Sequence, residues 1–291
     1  MEFEIVDVFA EGPRRGNQLA VVFPDRALAV SEMQSIAREF DFSETTFVGA
    51  ARDDGHEVRI FLPDAELPFA GHPTLGTAHV LRAHSGGPRS VLLHLGVGPV
   101  AVRFEAGEAG APDVGWIQSP TPEIGAVCAR EQAAAVFGLE PRDLDPELPP
   151  RVVTSGISFL LVPLRDLAAL RRARLHPEAR RALDRTGAPP LGTFCFTREA
   201  YSPSRQIAAR ALFDIHGNVR EDPATGSANG ALAGYLLAHR VFGTGALDVR
   251  VEQGVECHRP SLLHLRGRIE SGRPRVEVGG SVFPFARGAL R

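Results

Sequence analysis

Apolar residues in this chain mostly fall in short runs separated by glycine, proline, asparagine and serine. That pattern is typical of β-strands joined by turns. At the start, Phe3 and Ile5 lead into turn-forming residues 12–17, and the apolar run 19–23 follows. The first 23 residues therefore predict a strand, a turn and a second strand, and similar short strands recur along the chain.

Other stretches have the composition of helices. Ser31, with Gln34 three residues further on, predicts an N-cap and a capping box for a helix that ends near Phe40. A basic, alanine-rich segment at about 166–184 predicts another helix. Acidic residues lie among its arginines and no aromatic residues interleave with them, so we interpret it as a solvated face and not as a nucleic-acid site.

Two further predicted helices belong to an internal repeat. Moving residues 66–84 forward by 155 positions places them on residues 221–239, with seven of nineteen positions identical. Gly71 then matches Gly226, and in both copies a glycine-containing turn leads into an apolar helix. The repeat indicates two similar lobes, each with a loop that leads into a helix N-terminus. The alternative is two unrelated helices that are both rich in glycine and alanine.

Composition and charge fit an ordinary globular chain. Of the 291 residues, 44% are hydrophobic and 23% are charged, which suits one large domain or two of medium size. The net charge of −3 offers no strong attraction for nucleic acid or an anionic membrane. The N-terminus is acidic where a signal peptide is basic, and no apolar run suits a membrane span. We therefore expect a soluble cytoplasmic protein without nucleic-acid or membrane partners.

The chain contains no lysine, so all 32 basic residues are arginine. This excludes a lysine Schiff base, and with it the usual attachment of pyridoxal phosphate. It also excludes a phosphate-binding loop built on Gly-Lys-Ser/Thr. The common metal-binding and nucleotide-binding motifs are absent from the sequence as well. We therefore expect no cofactor and no metal.

The three cysteines, Cys128, Cys195 and Cys257, are too widely spaced for a disulfide framework, which indicates a reducing compartment. Cys257 lies beside His258, and the pair fits a nucleophile, a metal ligand or a buried thiol. A buried thiol fits best, because no second group of ligands lies nearby in the sequence.

The two repeated turns are candidate anion sites. Gly71-His72 and Gly226-Ser227 each stand at a predicted helix N-terminus. The unpaired N–H groups and the dipole at such a terminus favour a carboxylate or a phosphate. If the two lobes face each other, this arrangement suits a small anionic substrate.

Two acidic residues and a histidine are the candidate proton-transfer groups. Asp222 lies four residues before Gly226, and Glu44 lies among hydroxyl residues just before a strand. Together with His72, two carboxylates in one cleft suffice for general acid–base chemistry. Taken singly, Glu44 also fits a surface or capping acid, and His72 also fits an exposed turn residue.

These motifs resemble the PhzF-like phenazine biosynthesis proteins, a family with the diaminopimelate epimerase fold. The resemblance covers nearly the whole chain and is most specific at residues 221–228, Glu-Asp-Pro-Ala-Thr-Gly-Ser-Ala. Gln18 stands where proline is expected, and Cys257-His258 stands where Met-Gly is frequent. The other motifs that carry the resemblance are residues 7–9, 16–22, 43–47, 68–74, 253–254 and 259–261.

The resemblance implies an α+β fold of two similar lobes with the active site between them. Each lobe would be a curled, mostly antiparallel sheet around a central helix. The expected N-terminal lobe is residues 1–113 plus about 279–291, and the C-terminal lobe, a pseudo-repeat of the first, is residues 114–278. The resemblance also implies a homodimer and no cofactor.

The implied function is that of a cofactor-independent isomerase that moves a proton on a small cyclic or unsaturated carboxylate. In the family's phenazine enzyme that substrate is trans-2,3-dihydro-3-hydroxyanthranilate. By position, Glu44 matches the acid that shuttles the proton. The other matched positions are the active-site residues His72, Asp222 and Ser227 and the substrate-holding turns at Gly71 and Gly226.

Two other functions stay open. One is a non-catalytic module that binds a small anion or a protein partner on the same fold. The other is an amino-acid epimerase that uses Glu44 and a second base. A two-cysteine epimerase is not expected, because glycine occupies positions 71 and 226, where such an enzyme could carry its cysteines.

Overall fold

The computed structural model describes residues 1–107, 110–184, 192–215, 217–243 and 245–291. Within these ranges the fold is mixed α+β, with many strands and few helices. The helices are α1 (Val30–Phe40), α2 (Gly71–His84), α3 (Arg130–Val136), α4 (Leu167–Arg172), α5 (Pro177–Asp184) and α6 (Gly226–Ala238). The strands are β1 (Glu2–Val8), β2 (Asn17–Phe23), β3 (Glu44–Arg52), β4 (Gly55–Phe61), β5 (Glu66–Leu67), β6 (Ser90–Leu95), β7 (Gly98–Glu105), β8 (Val114–Gln118), β9 (Glu123–Val127), β10 (Arg151–Ser155), β11 (Ile157–Leu164), β12 (Gly192–Thr197), β13 (Ile207–Ile215), β14 (Asn218–Asp222), β15 (Leu247–Gln253), β16 (Ser261–Glu270), β17 (Arg273–Gly280) and β18 (Val282–Ala289).

The described chain divides into two compact units. The first contains Met1–Gln118 and Gly279–Arg291, and the second contains Ser119–Val278. The first unit extends past the expected boundary at residue 113, because β8 pairs with β7.

In the first unit, the first and last strands of the chain are neighbours. β1 lies between β18 and β2 and is antiparallel to both. β2 runs parallel to β3, and β3 is antiparallel to β4. β4 pairs with the short β5 and runs parallel to β6, after which β6, β7 and β8 follow in antiparallel order.

Helix α2 packs against strands β1, β2, β3, β6, β7, β8 and β18 of this unit. Its side chains are buried almost all round, as expected for a helix inside a core. Gly76 allows the helix to approach the sheet closely, since a Cβ atom there would lie 2.6 Å from Leu19 Cδ2 and 2.8 Å from Val8 Cγ2. The helix predicted after the first glycine turn is confirmed.

The second unit has the same order of pairings. β9, β10 and β11 are antiparallel neighbours, β11 runs parallel to β12, and β12 is antiparallel to β13. β13 pairs with β14 and runs parallel to β15, which is antiparallel to β16. Helix α6 packs against β9, β10, β11, β15 and β16 and is also buried almost all round.

The remaining helices add an outer layer to each core. In the first unit, α1 places Met33 and Ala37 against Phe47 and Phe61 of the sheet. In the second unit, residues of α3, α4 and α5 form one apolar cluster with residues of β11, β12 and β13. Each core therefore includes side chains from these helices as well as from the strands.

Two local predictions are wrong. Helix α1 begins at Val30 with Ala29 as N-cap, and the carboxylate of Glu32 accepts the Ala29 N–H at 2.9 Å, so Ser31 is not the cap. The single helix predicted at 166–184 is two helices, α4 and α5. Pro177 lacks an N–H and disfavours a helical residue before it, so it starts a new helix instead of continuing the old one.

Candidate active site

The first candidate turn leads directly into helix α2. Gly71 is the first helical residue and follows Ala70, an extended N-cap without a side-chain acceptor. The Thr74 hydroxyl donates to the Ala70 carbonyl at 2.6 Å and closes the first turn. The N–H groups of Gly71 and His72 have no intrahelical partner by geometry, and Pro73 has none to offer. Two backbone donors at the positive end of α2 therefore favour an anion.

Glu44 and His72 are in contact. Glu44 is the first residue of β3, where it pairs with Leu19 of the parallel strand β2. Its Oε2 atom lies 3.4 Å from His72 Nε2, and the two side chains are only 13% and 5% exposed. The structure thus brings together two of the predicted site residues that are distant in sequence.

The imidazole of His72 is neutral at physiological pH. Burial lowers its pKa from the ordinary 6.5 to about 3, and a hydrogen bond to the Gln18 backbone opposes that shift. The contact with Glu44 is therefore not an ion pair. A neutral imidazole has one N–H group and one lone pair, so His72 can hydrogen-bond either the carboxylate or the carboxylic acid form of Glu44.

Asn17 is a site residue to which the sequence assigned no role. Its Nδ2 lies 3.3 Å from His72 Nδ1, on the other side of the ring from Glu44, and its side chain is buried. Asn17 pairs with Val8 in the β1–β2 ladder just after Gly16, which has φ +72°. A Cβ atom on Gly16 would collide with the Val8 carbonyl oxygen, so only glycine suits this approach to Asn17. In the sequence, the feature that could have identified Asn17 is its position directly after Gly16 in a turn motif.

The second candidate turn connects β14 to α6. Asp222 ends β14, and Thr225 is the N-cap of α6. The Thr225 hydroxyl donates to Asp222 Oδ2 at 2.6 Å, so the carboxylate is tied to the start of the helix. Asn229 Nδ2 donates to the Thr225 carbonyl at 3.0 Å, the same bond that Thr74 makes to Ala70 in the first unit.

Gln253 holds this turn from the end of β15. Its Nε2 donates to the Asp222 carbonyl at 2.8 Å, and its Oε1 accepts the Thr225 N–H at 3.2 Å. The residue belongs to a motif of the family resemblance, but the sequence assigned it no role. What identifies it is its set of partners, which lie close only in the folded chain.

Gly226 and Ser227 are the first two residues of α6. Gly226 is buried, whereas Ser227 is partly exposed in a helix turn that is otherwise buried. As in α2, the N–H groups of these residues lack an intrahelical partner by geometry. The structure thus places Asp222, Gly226 and Ser227 around one helix N-terminus, and Glu44, Gly71 and His72 around the other.

Cys257 is half-buried, so its thiol is less enclosed than the buried thiol that the sequence predicts. Its Sγ donates to the Gly254 carbonyl at 3.3 Å, and burial raises the pKa of the thiol to about 11. A thiol in that state is a poor nucleophile at neutral pH. Within the described ranges, no group of three or more His, Cys, Asp or Glu side chains is placed to hold a metal ion.

Among the described residues, no helix has both the length and the apolar character needed to cross a membrane.

Comparisons with known proteins match the chain over nearly its full length. The family model described as phenazine biosynthesis-like protein (PhzC-PhzF) matches residues 6–288. Trans-2,3-dihydro-3-hydroxyanthranilate isomerase of Pseudomonas chlororaphis is 36% identical over 290 residues, which cover 99% of this chain and 98% of that protein.

Solved structures resemble the chain over its whole length. A structure described as a predicted epimerase from Pseudomonas aeruginosa is 35% identical with a TM-score of 0.80, covering 99% of this chain and 98% of that one. A PhzF family phenazine biosynthesis protein from Bacillus anthracis has a TM-score of 0.91 at 24% identity, covering 100% and 99%, and this likeness concerns the fold alone.

The relatives confirm the expectation of an isomerase, and the non-catalytic alternative has no support from them. With a family match over nearly its full length, the chain belongs to the phenazine biosynthesis-like (PhzC-PhzF) family of proteins.

Proposed function

We propose that this isomerase moves a proton on a small cyclic or unsaturated carboxylate without a cofactor, and that Glu44 carries the proton. The contact between the nearly buried Glu44 carboxyl and the neutral His72 ring is the observation that carries the proposal. The proposed substrate is trans-2,3-dihydro-3-hydroxyanthranilate, on which the Pseudomonas chlororaphis relative acts by its name.

In the proposed mechanism, Glu44 as carboxylate takes a proton from the carbon beside the conjugated system. The proton then resides on the Glu44 carboxyl, and the electron pair moves along the conjugated system. Glu44 returns the proton at another carbon, so the substrate is isomerised without net gain or loss. Because Asn17 Nδ2 donates to Nδ1, the N–H of His72 is on Nε2 and faces the Glu44 carboxyl, where it can donate to an oxygen of either the carboxylate or the carboxylic acid form.

The substrate carboxylate is proposed to bind at a helix N-terminus. The N–H groups of Gly71 and Gly226 and the dipoles of α2 and α6 favour a negative charge there. Ser227 would add a hydroxyl donor at the start of α6, and Asp222, held by Thr225, would serve as a second acid–base group.

We also propose that the chain consists of two similar lobes, each a curled sheet around a central helix. Three observations support this: the shared order of strand pairings, the buried helices α2 and α6, and an Arg–Glu pair in the same hairpin position. Arg59–Glu66 occupies that position in the first unit, and Arg210–Glu221 in the second. The homodimer implied by the family resemblance and the cytoplasmic location expected from the composition and the N-terminal sequence stay predictions.

The test is turnover of trans-2,3-dihydro-3-hydroxyanthranilate in deuterium oxide without added cofactor, followed by NMR. Wild-type protein should consume the substrate and move its double bond, and the deuterium content of the carbon that receives the proton measures how far the Glu44 carboxyl exchanges with solvent before the return step. Glu44→Gln should lower kcat by about 10²–10⁴-fold, the usual contribution of a positioned acid or base. Glu39→Gln changes an exposed carboxyl on α1 in the same way and should keep wild-type activity. Wild-type kcat in Glu44→Gln would contradict the mechanism.

The description of one relative as a predicted epimerase supports a second candidate function, the inversion of an amino-acid centre. Chiral analysis of the product separates the two reactions. An inverted centre with the double bonds in place indicates an epimerase, and a moved double bond indicates the isomerase proposed here.

A further inference from the structure

Gln253 has all its hydrogen-bonding capacity satisfied inside the second unit. It is the last residue of β15, and its side chain is fully buried. A primary amide offers two N–H donors and an oxygen with two lone pairs. Nε2 donates to the Asp222 carbonyl at 2.8 Å and to Thr225 Oγ1 at 3.0 Å. Oε1 accepts from the Thr225 N–H at 3.2 Å and from Asn229 Nδ2 at 2.9 Å.

Backbone partners fix which end of the amide is which. The Thr225 N–H can only donate, so it must face Oε1 of Gln253. The Asp222 carbonyl can only accept, so it must face Nε2. A flipped amide would place donor against donor and acceptor against acceptor in a buried site. The orientation of Gln253 is therefore determined by the structure.

That orientation sets the direction of the next hydrogen bond. Because Gln253 Nε2 donates to Thr225 Oγ1, the hydroxyl accepts there and has its one proton left for another partner. The partner is Asp222 Oδ2, at 2.6 Å. The order of donation thus runs from Gln253 to Thr225 to Asp222, and Oδ2 of Asp222 must be an acceptor.

The residue after Gln253 packs closely against the same turn. Gly254 has φ +75°, and a Cβ atom there would overlap the Arg259 carbonyl and lie 2.6 Å from the Pro223 carbonyl oxygen. The Gln253 side chain therefore holds the turn that carries Asp222, and the Gly254 backbone packs closely against Pro223 of the same turn.

We propose that Gln253 is a positioning residue for the isomerase reaction, which acts through Thr225 to hold the Asp222 carboxylate in one orientation with Oδ2 as acceptor. This inference rests on the proposed function, in which Asp222 is a catalytic residue. It adds a residue that never has to touch the substrate.

Kinetics of Gln253→Glu test the proposal. The new side chain has nearly the same shape but no N–H to donate, so the Thr225 hydroxyl turns away from Asp222. We expect kcat to fall at least tenfold with KM changed less than threefold. Gln206→Glu is the matched control, since Gln206 also bonds a backbone group of β15, the Arg250 N–H, at 2.8 Å, and it should keep wild-type kcat.

An Asp222→Asn background separates positioning from a general structural role. Because Gln253 acts through the Asp222 carboxylate, adding Gln253→Glu to Asp222→Asn should change kcat less than twofold. A further tenfold loss in that background, or wild-type kcat in Gln253→Glu alone, would overturn the proposal.

A spectroscopic measurement gives a readout that needs no turnover. The carboxyl ¹³C signal of Asp222, identified by its loss in Asp222→Asn, should move in the same direction in Gln253→Glu and Thr225→Val at one fixed pH. Thr225→Ser, which keeps the hydroxyl, should restore the wild-type position. If the wild-type protein does not turn over the substrate but the signal moves, the proposed substrate fails and the positioning role stands. An unmoved signal refutes the positioning role whatever the activity.

Discussion

His72 makes the stability of this protein depend on pH. The unfolded chain takes up a proton on this ring near pH 6.5, whereas the folded protein resists protonation down to about pH 3. Acid therefore favours the unfolded state, and the stabilising contribution of the buried neutral ring is lost as the pH falls below 6.5.

We expect His72→Gln to lose stability less steeply than wild type between pH 6.5 and 4. The difference in slope should approach about 1.4 kcal/mol per pH unit, the value for one proton. Urea unfolding at several pH values measures it. Equal slopes in the two proteins would show that His72 is not a buried neutral ring. Burial also lowers the pKa of His264, to about 4, so both proteins should keep some dependence of stability on pH in this range.

The single residues differ in how far the sequence could identify them. Glu44, His72 and Asp222 stand in motifs that point to proton transfer. That Glu44 touches His72 was not predictable, because strand β3 and helix α2 meet only in the folded sheet. The roles of Asn17 and Gln253 were not predicted. The role of a buried amide follows from its hydrogen-bond partners, and those partners lie far away in the sequence.

Helix α6 depends on small residues where it meets the start of the second unit. Cβ atoms added to Gly230 and Gly234 would collide with Ser119 and Pro122, respectively. These glycines are four residues apart and lie on one face of the helix. Glycine in general weakens a helix, and the close approach of α6 to Ser119 and Pro122 explains why α6 contains glycine at positions 230 and 234.

Gly234→Ala should therefore destabilise the protein by about 1–3 kcal/mol, the usual cost of overpacking a core. Alanine gains up to about 1 kcal/mol in helix propensity, and the collision with the rigid Pro122 ring outweighs that gain. Gly12→Ala, where an added Cβ atom meets nothing within 4 Å, should stay within about 0.5 kcal/mol of wild type. Urea unfolding provides the comparison, and a Gly234→Ala protein as stable as wild type would refute the argument.

Whole elements were more predictable than their ends. The repeat located α2 and α6 because a glycine turn and an apolar helix occur twice. The start of α1 was misplaced by two residues, because the Glu32 carboxylate caps the helix from inside its first turn and no polar N-cap residue is needed. Pro177 indicates the break between α4 and α5. The prediction of one helix relied on the basic, alanine-rich composition of the segment and did not take this proline into account.

At the scale of the whole molecule, the two ends of the chain meet. The Leu290 N–H donates to the Met1 carbonyl at 2.8 Å, and β18 pairs with β1 along its length. Joined termini and a new opening in an exposed loop are tolerated when the native contacts survive.

We expect a circular permutant, with Arg291 linked to Met1 by a few glycines and opened between Gly86 and Gly87, to fold like wild type. Both glycines are exposed, and an added Cβ atom would meet nothing within 4 Å of either. Circular dichroism and thermal unfolding test this. Deleting residues 282–291 is the contrasting variant and should unfold the first unit, because β1 loses a neighbouring strand. A permutant that fails to fold would contradict the expectation.

The pairing of β1 with β18 also has a consequence for synthesis on the ribosome. The second unit is continuous in sequence, so all of it has been made when the last strand is still to come. Synthesis of the first unit starts earlier, but this unit cannot complete its fold until its final segment, Gly279–Arg291, has been made. Until then β1 presents an unpaired edge, which is a site for wrong strand pairing. During synthesis, the unit that contains the N-terminal residues is therefore the last one to be completed.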